Sequence, residues 1–581
     1  MNVAGSSLSV RLPAFRTGMA ITLFLSGVVS ATGALADDDN TTFRPGNLLV
    51  SRSVYDNNPA NVVAGTTLLP PNCVLAPNCV TATVNGQYPF VFNNDAADAS
   101  FGITSRIVLD QLEPSGRLIN SLEVEGPHDS EHRDQPAGNQ VVTSFSSKSE
   151  IALNLSTDGQ VVTFMGYLAP LNALDVSNSN TPSPTEVDPT NPVPGSFSRV
   201  VAAVDAHGHF QFTKTNAYSG NNGRAAILNN KNGANVVYTA GNAGNGGNPQ
   251  PNGIITGAGL QILTPQRTPL DAQDPGQPTP VGSFNITQLG LKADKTGKDT
   301  NFRGLTISNN VVYTTKGSGS NGVNTVYFID TTGFDANGKP LACPNGVGLP
   351  GANATLPTAP IVYNAASLQT LGVTPYNMCI LKGFTTTLAK TTTTSFPFGV
   401  WFANATTLYV TDEGNGTTTF ASGKFTAAAA QTTAGLQKWV FDSSLGAWKL
   451  AYVLQAGLNL GVPYTIDHYP TGQNPQTSLP WAPAADGLRN LTGRVNRDGT
   501  ATIWAITSTV SGSGDQGADP NQLVMITDRL AATTAPAGES FAVVRTAQFG
   551  EALRGVSFTP GTDRDRLADA DDHRGGADGN H

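Results

Sequence analysis

One six-residue pattern occurs in this chain with two different sequels. Phe302-Arg303-Gly304-Leu305-Thr306-Ile307 is followed at once by a second strand-like run, Val311-Val312-Tyr313-Thr314-Thr315. Leu553-Arg554-Gly555-Val556-Ser557-Phe558 repeats the order apolar, Arg, Gly, apolar, polar, apolar, but after Pro560 it meets only a charged tail. A fitting sequel lies at the other end of the chain, in Gly46-Asn47-Leu48-Leu49-Val50-Ser51-Arg52. A last strand whose partner sits at the N-terminus predicts a circular β architecture that closes by pairing its own ends.

The rest of the sequence fills in that circle. With Leu553–Phe558, the runs at 47–53, 106–112 and 118–124 make a first four-strand unit. A second follows at 150–155, 161–165, 199–205 and 210–213, and a third at 224–228, 236–239, 260–263 and 282–286. The fourth starts at Phe302 and ends near 379–384. The fifth comprises 398–402, 407–411, 436–442 and 448–454. A sixth begins near Leu491 and continues through 502–506, 523–528 and 541–545. Asp158-Gly159, Asn232-Gly233 and Asp498-Gly499 stand between alternating runs, where residues that accept positive φ form hairpin turns. The chain is only 13% charged and is rich in Gly and Pro, which suits many short strands. No long run shows helical apolar spacing, so a helical solenoid is excluded. The expected fold is all-β: a single propeller of six four-stranded antiparallel blades over residues 37–561. A seventh blade would have to lie in 85–100 or 455–490. Two stacked β-sandwiches are the rival fold, but they leave the split first unit unexplained.

These repeats resemble secreted β-propellers of the broad lactonase-like, YVTN-type and NHL-type group. The resemblance covers nearly all of the mature chain and rests on the blade pattern. There is no YVTN string, no Trp-Asp blade end and no Asp-box. It implies a propeller and leaves the activity open, because the group holds lactonases, phytases, quinone-dependent dehydrogenases and plain binding proteins.

Arg11 and Arg16 precede an apolar run from Met19 to Val29, and Ala34-Leu35-Ala36 has the spacing of a signal-peptidase site. Residues 1–36 therefore read as a signal peptide, and the protein as secreted or periplasmic. The run is too short to span a bilayer comfortably, and nothing later reaches the roughly 20 apolar residues that a spanning helix needs. Residues 562–581 form a charged Gly/Asp tail with a composition expected to be disordered. Cys73, Cys79, Cys343 and Cys379 are even in number, as expected for disulfides in an exported chain. Zinc ligation is the alternative, but the spacings match no usual zinc motif.

A net charge of −9 argues against nucleic acid as a partner. Arg224, Arg303 and Arg554 occupy one position in the first strands of three units. In a propeller those strands line the central channel, so three guanidiniums would converge on one level as a site for carboxylate or phosphate. In the competing reading each pairs with an Asp that ends a third strand: Asp205, Asp330, Asp442 or Asp528. Asp412-Glu413-Gly414 offers two carboxylates at a Gly-rich bend, and calcium favours such oxygen ligands. His128 and His132, with acidic neighbours, and His207 with His209 have spacings that a transition metal could use. Asp467 and His468 are a candidate acid/base pair in a loop that could cover a channel mouth. No Ser nucleophile elbow and no phosphate-binding P-loop is present. The expectation is an exported propeller, acting as a monomer, that binds an anionic small molecule or polymer without clear catalytic machinery. The alternatives are a divalent-cation-dependent hydrolase of lactonase or phytase type and an adhesion module.

Overall fold

The computed structural model describes residues 42–69, 80–82, 102–126, 139–145, 151–182, 195–242, 259–265, 279–292, 301–319, 321–367, 372–391, 395–475, 477–513, 516–564 and 567. Strand β1 (Leu48–Val54) precedes a short ribbon, β2 (Leu68–Leu69) with β3 (Val80–Thr81), and then β4 (Gly102–Leu112) and β5 (Leu118–Glu123). Next come β6 (Gln140–Phe145), β7 (Asn154–Leu155), β8 (Val161–Ala169), β9 (Arg199–Asp205) and β10 (Phe210–Thr215). The middle of the chain supplies β11 (Gly223–Asn229), β12 (Val236–Gly241), β13 (Leu260–Leu263) and β14 (Pro280–Gly282). It continues with β15 (Leu305–Ser308), β16 (Val311–Lys316), β17 (Thr325–Ile329), β18 (Val347–Gly348) and β19 (Met378–Leu381). After β20 (Pro397–Asn404) and β21 (Thr407–Asp412), a second ribbon, β22 (Phe420–Ala421) with β23 (Lys424–Phe425), leads into a one-turn helix, Thr426–Ala429. The remaining strands are β24 (Gly435–Asp442), β25 (Ala447–Leu454), β26 (Ala484–Val495), β27 (Thr500–Val510), β28 (Gln522–Arg529), β29 (Ala542–Thr546) and β30 (Glu551–Phe558).

The protein is all-β, with a propeller-like arrangement of antiparallel sheets. Three sheets are four-stranded meanders in chain order: β11-β12-β13-β14, β20-β21-β24-β25 and β26-β27-β28-β29. A fourth, β15-β16-β17-β19, carries β18 as a parallel edge. The N- and C-terminal strands pair as the opening pattern requires: Leu48 faces Phe558, Leu49 faces Ser557 and Val50 faces Val556.

The first two units are not separate sheets. Arrays β30-β1-β4-β5 and β7-β8-β9-β10 are joined into one nine-stranded sheet by β6, which pairs with both β4 and β8. The cause is strand length. β4 and β8 outrun β5 and β7, and Gln140–Phe145, which belongs to none of the six expected units, pairs with their overhanging ends. Three further expectations shift. The edge strand of the third array is Pro280–Gly282, because Asn285 caps a 3-10 turn over Ile286–Leu289 and stops the extended run there. β26 begins at Ala484, well before Leu491. Residues 422–433, a Thr/Ala-rich stretch whose composition reads as a loop connection, contain β23 and the one-turn helix.

Burial falls from the inner strands outward. β11, β12, β16 and β21 are buried at every position, whereas β5 and β29 are largely open to solvent. Sheets packed face to face cover both sides of their second strands. That is why β12 and β16 read as continuous apolar and Thr runs. Two outer strands, β14 and β19, are nevertheless buried as well, β19 under the excursion that the Cys343–Cys379 disulfide fastens. Cys343 and Cys379 form a disulfide with their Cα atoms 5.9 Å apart, fastening the excursion between β17 and β19. Cys73 and Cys79 lie outside the described residues. No helix among the described residues is long and apolar enough to cross a membrane.

Neighbouring arrays are stapled by second-strand hydroxyls. Ser51 Oγ accepts the Gly555 N–H (2.8 Å) and donates to the Ile151 carbonyl (2.8 Å). Thr315 Oγ1 accepts from Gly304 N–H (2.9 Å) and donates to Phe398 O (2.5 Å). Thr411 Oγ1 accepts from Gly399 N–H (2.8 Å) and donates to Arg489 O. The first strands therefore lie backbone to side chain, with no room for a Cβ. One added to Gly304 would stand 2.3 Å from Phe398 O, and one on Gly555 would stand 2.3 Å from Ile151 O.

Candidate functional site

The staples define which residues of successive first strands share a level. Gly304 abuts the carbonyl of Phe398, Thr411 bonds that of Arg489, and Asn490 Nδ2 donates to that of Arg554 (2.8 Å). Gly555 abuts Ile151, and Ala152 bridges to Ala225, next to Arg224. One level therefore carries Arg303, Phe398, Arg489, Arg554, Ile151 and Arg224 in turn. The three arginines singled out from the sequence occupy equivalent places, and Arg489 joins them as a fourth. Its signal was legible in Leu488-Arg489-Asn490-Leu491-Thr492, the same pattern with Asn in place of Gly.

All four guanidinium-bearing residues are buried, with Arg489 only 2% exposed and Arg303 7%. Arg554 is held by Ser53 Oγ (2.9 Å), the Gly517 carbonyl (3.0 Å) and the Tyr55 hydroxyl (3.0 Å). Arg303 donates to Ser318 Oγ and lies 5.3 Å from the centre of the Phe398 ring. Glu413, at the exit of β21, places Oε1 3.6 Å from Arg303 Nη1 and Oε2 3.4 Å from Arg489 Nε. Burial pushes the Arg489 guanidinium down to about 10; Glu413 opposes this, while Arg554 and Arg303 add to it. Arg489 Nε and Nη2 are buried with no hydrogen-bond partner among the described residues.

The aspartates that end third strands take other partners. Asp205 meets His209, Asp330 accepts from Thr332 and Ala342, Asp442 accepts from Ser444, and Asp528 pairs with Lys438. Asp412 accepts hydrogen bonds from Ser395 Oγ (3.0 Å), Phe396 N–H (2.8 Å) and Gly414 N–H (3.0 Å). Burial nevertheless raises its pKa to about 6. Both carboxylates of the Gly-rich bend are thus engaged by protein groups. The described residues contain no cluster of three or more His, Cys, Asp or Glu arranged to hold a metal. Asp467 and His468 are exposed on the segment between β25 and β26, and His207 and His209 stack at an exposed turn with ring centres 5.9 Å apart. His128 and His132 lie outside the described residues.

Further along the same first strands is a cavity of about 420 Å³. Asn154, Thr306, Trp401, Thr492 and Ser557 line it, and Arg564 and Leu567 from the C-terminal segment close on it. Arg564 Nη2 donates to the Ile307 carbonyl at 2.7 Å, tying that segment to β15.

No protein-family model matches the chain, and no curated protein matches it.

Proposed function

We propose that the protein is an exported six-bladed β-propeller that binds an anionic ligand at the arginine-bearing end of its central channel. What supports this reading is that Arg224, Arg303, Arg489 and Arg554 hold equivalent backbone places at or just before the first strands of four arrays, with Arg303 and Arg489 both beside Glu413. Guanidinium forks match carboxylate and phosphate oxygens in pairs, so such a ring favours oxyanions over other ligands. Six blades are supported by counting arrays rather than hydrogen-bonded sheets. Further support comes from the contacts of β7 with β11, β11 with β15, β15 with β20, β20 with β26, β26 with β30 and β30 with β7. Export is supported by the leader-like residues 1–36 and by the Cys343–Cys379 disulfide.

The test is thermal unfolding of the mature chain against a panel of organic carboxylates, phosphates and anionic polysaccharides. A ligand that binds only the folded state raises the midpoint, by about 2 °C at a hundredfold excess over Kd for a domain of this size. If no anion moves the midpoint, the reading fails. A parallel series with chelator and divalent cations tests the cation-dependent hydrolase. A midpoint lowered by chelator and restored by calcium would put that alternative first.

A further inference from the structure

We propose that Arg489 is the seat of a compact oxyanion, a carboxylate or phosphate group, and that Glu413 is the internal anion with which this ligand competes. The proposal rests on the anion-binding reading above and narrows it to one residue and one ligand size.

Arg489 carries the argument. Its guanidinium remains charged at any physiological pH, is 2% exposed, and keeps Nε and Nη2 without a hydrogen-bond partner among the described residues. A buried charged donor left in that condition is costly, and it is ordinarily met by an anion or an ordered water. Glu413 meets it only in part, as an ion pair at 3.4 Å. Charge-assisted N–H···O bonds close to about 2.7–2.9 Å. Glu413 stands 3.4 Å from Arg489 and 3.6 Å from Arg303, an ion pair to each at longer than that distance. Arg303 is oriented by Ser318 and by the Phe398 ring, so its fork is held beside the same carboxylate.

Size follows from burial and from the two other residues at this level. Phe398 and Ile151 are fully buried, and the arginines are at most 7% exposed. A polysaccharide or other polymer cannot lay a chain across groups this enclosed, so the ligand group must be as small as a single carboxylate or phosphate. Such a group would sit on the Arg489 fork and replace the loose pairing with Glu413. Removing the charge of Glu413 should then strengthen ligand binding, a sign that a purely structural carboxylate would not give.

The experiment is calorimetric titration of the full mature chain with inorganic phosphate, acetate, succinate and heparin, using wild type, Arg489→Lys and Glu413→Gln. The expected result is binding of a small anion that weakens by about tenfold or more in Arg489→Lys, which keeps the charge and loses the fork. In Glu413→Gln the same anion should bind about tenfold tighter. Small-anion binding that is unchanged in both variants would overturn this proposal and leave the anion reading standing. Heparin binding without small-anion binding would overturn the ligand class. If no probe binds wild type or Glu413→Gln, both the proposal and the broader reading fail. Circular dichroism confirms folding, and if Arg489→Lys does not fold, the sign of the Glu413→Gln effect decides alone.

Discussion

Two buried charge clusters in this protein differ in how completely their polar atoms are paired. Between the fifth and sixth arrays, Lys438 and Asp528 are both fully buried and meet at 2.9 Å. Lys438 Nζ also donates to the Tyr452 hydroxyl (2.9 Å) and the Arg529 carbonyl (2.6 Å). Asp528 accepts from the hydroxyls of Tyr409 (2.5 Å) and Tyr452 (2.7 Å). Every contact is short, and the ammonium's three donors are all used. Arg489 and Glu413 are buried to a similar depth but stand 3.4 Å apart, with two guanidinium nitrogens unpartnered among the described residues. Glu539 Oε2 nearby lacks a hydrogen-bond partner among the described residues, but the ion pair itself is closed and holds two arrays together. An open one of the same charge type is where a ligand would improve the balance, because unsatisfied buried groups cost more than satisfied ones return.

That contrast can be broken most directly at Lys438. Lys438→Met leaves Asp528 buried without its cation and should cost about 3–5 kcal/mol in denaturant unfolding. Its response to anions, measured in whatever folded fraction persists, should be unchanged. Gly304→Ala comes next. Its Cβ would press the Phe398 carbonyl, and overpacking of this kind costs about 1–3 kcal/mol. It should also disturb anion binding by moving Arg303 against Phe398, which titration of the variant would read. Arg489→Met should cost less than Lys438→Met, about 1 kcal/mol, since Glu413 keeps Arg303 and an unsatisfied donor is removed. Equal costs for the two Met variants would erase the distinction between the clusters.

The smallest effect concerns pH. Burial, followed by its interaction with Asp528, raises Glu539 to about 7. A carboxyl whose folded pKa is raised contributes stability that is complete below its unfolded value near 4.5 and is lost as pH climbs through about 7. The unfolding midpoint of wild type should therefore fall between pH 5 and 8 more steeply than that of Glu539→Gln. Parallel pH profiles would remove Glu539 from the closed cluster.

The strand repeat was open to reading because it is local. Alternation and Gly turns mark each hairpin, and a pattern of Arg, Gly and apolar residues tags the first strands at Arg303 and Arg554. Arg489 escaped because Asn490 stands where the other two have Gly, although its side chain does the same work by bonding the next array's carbonyl. Gln140–Phe145 escaped because nothing in its own residues says that β4 and β8 will leave overhanging ends for it to pair with. Glu413 was legible as a carboxylate at a Gly-rich bend, but calcium and arginine both attract carboxylates, and only the neighbours decide between them.

By itself, then, the sequence determined an all-β chain of repeated hairpins, the pairing of its N-terminal strand with its last, and the equivalence of Arg224, Arg303 and Arg554. Each of these follows from periodicity within a few residues or from matching one segment to another. Tertiary structure decided the fourth arginine, the strand that merges the first two arrays, and the choice between a closed ion pair at Lys438 and an open one at Arg489. Those outcomes depend on differences of a few tenths of an ångström between groups as far as 119 positions apart, such as Tyr409 Oη and Asp528 Oδ2. No local pattern in the chain encodes such distances; they are fixed when the sheets pack.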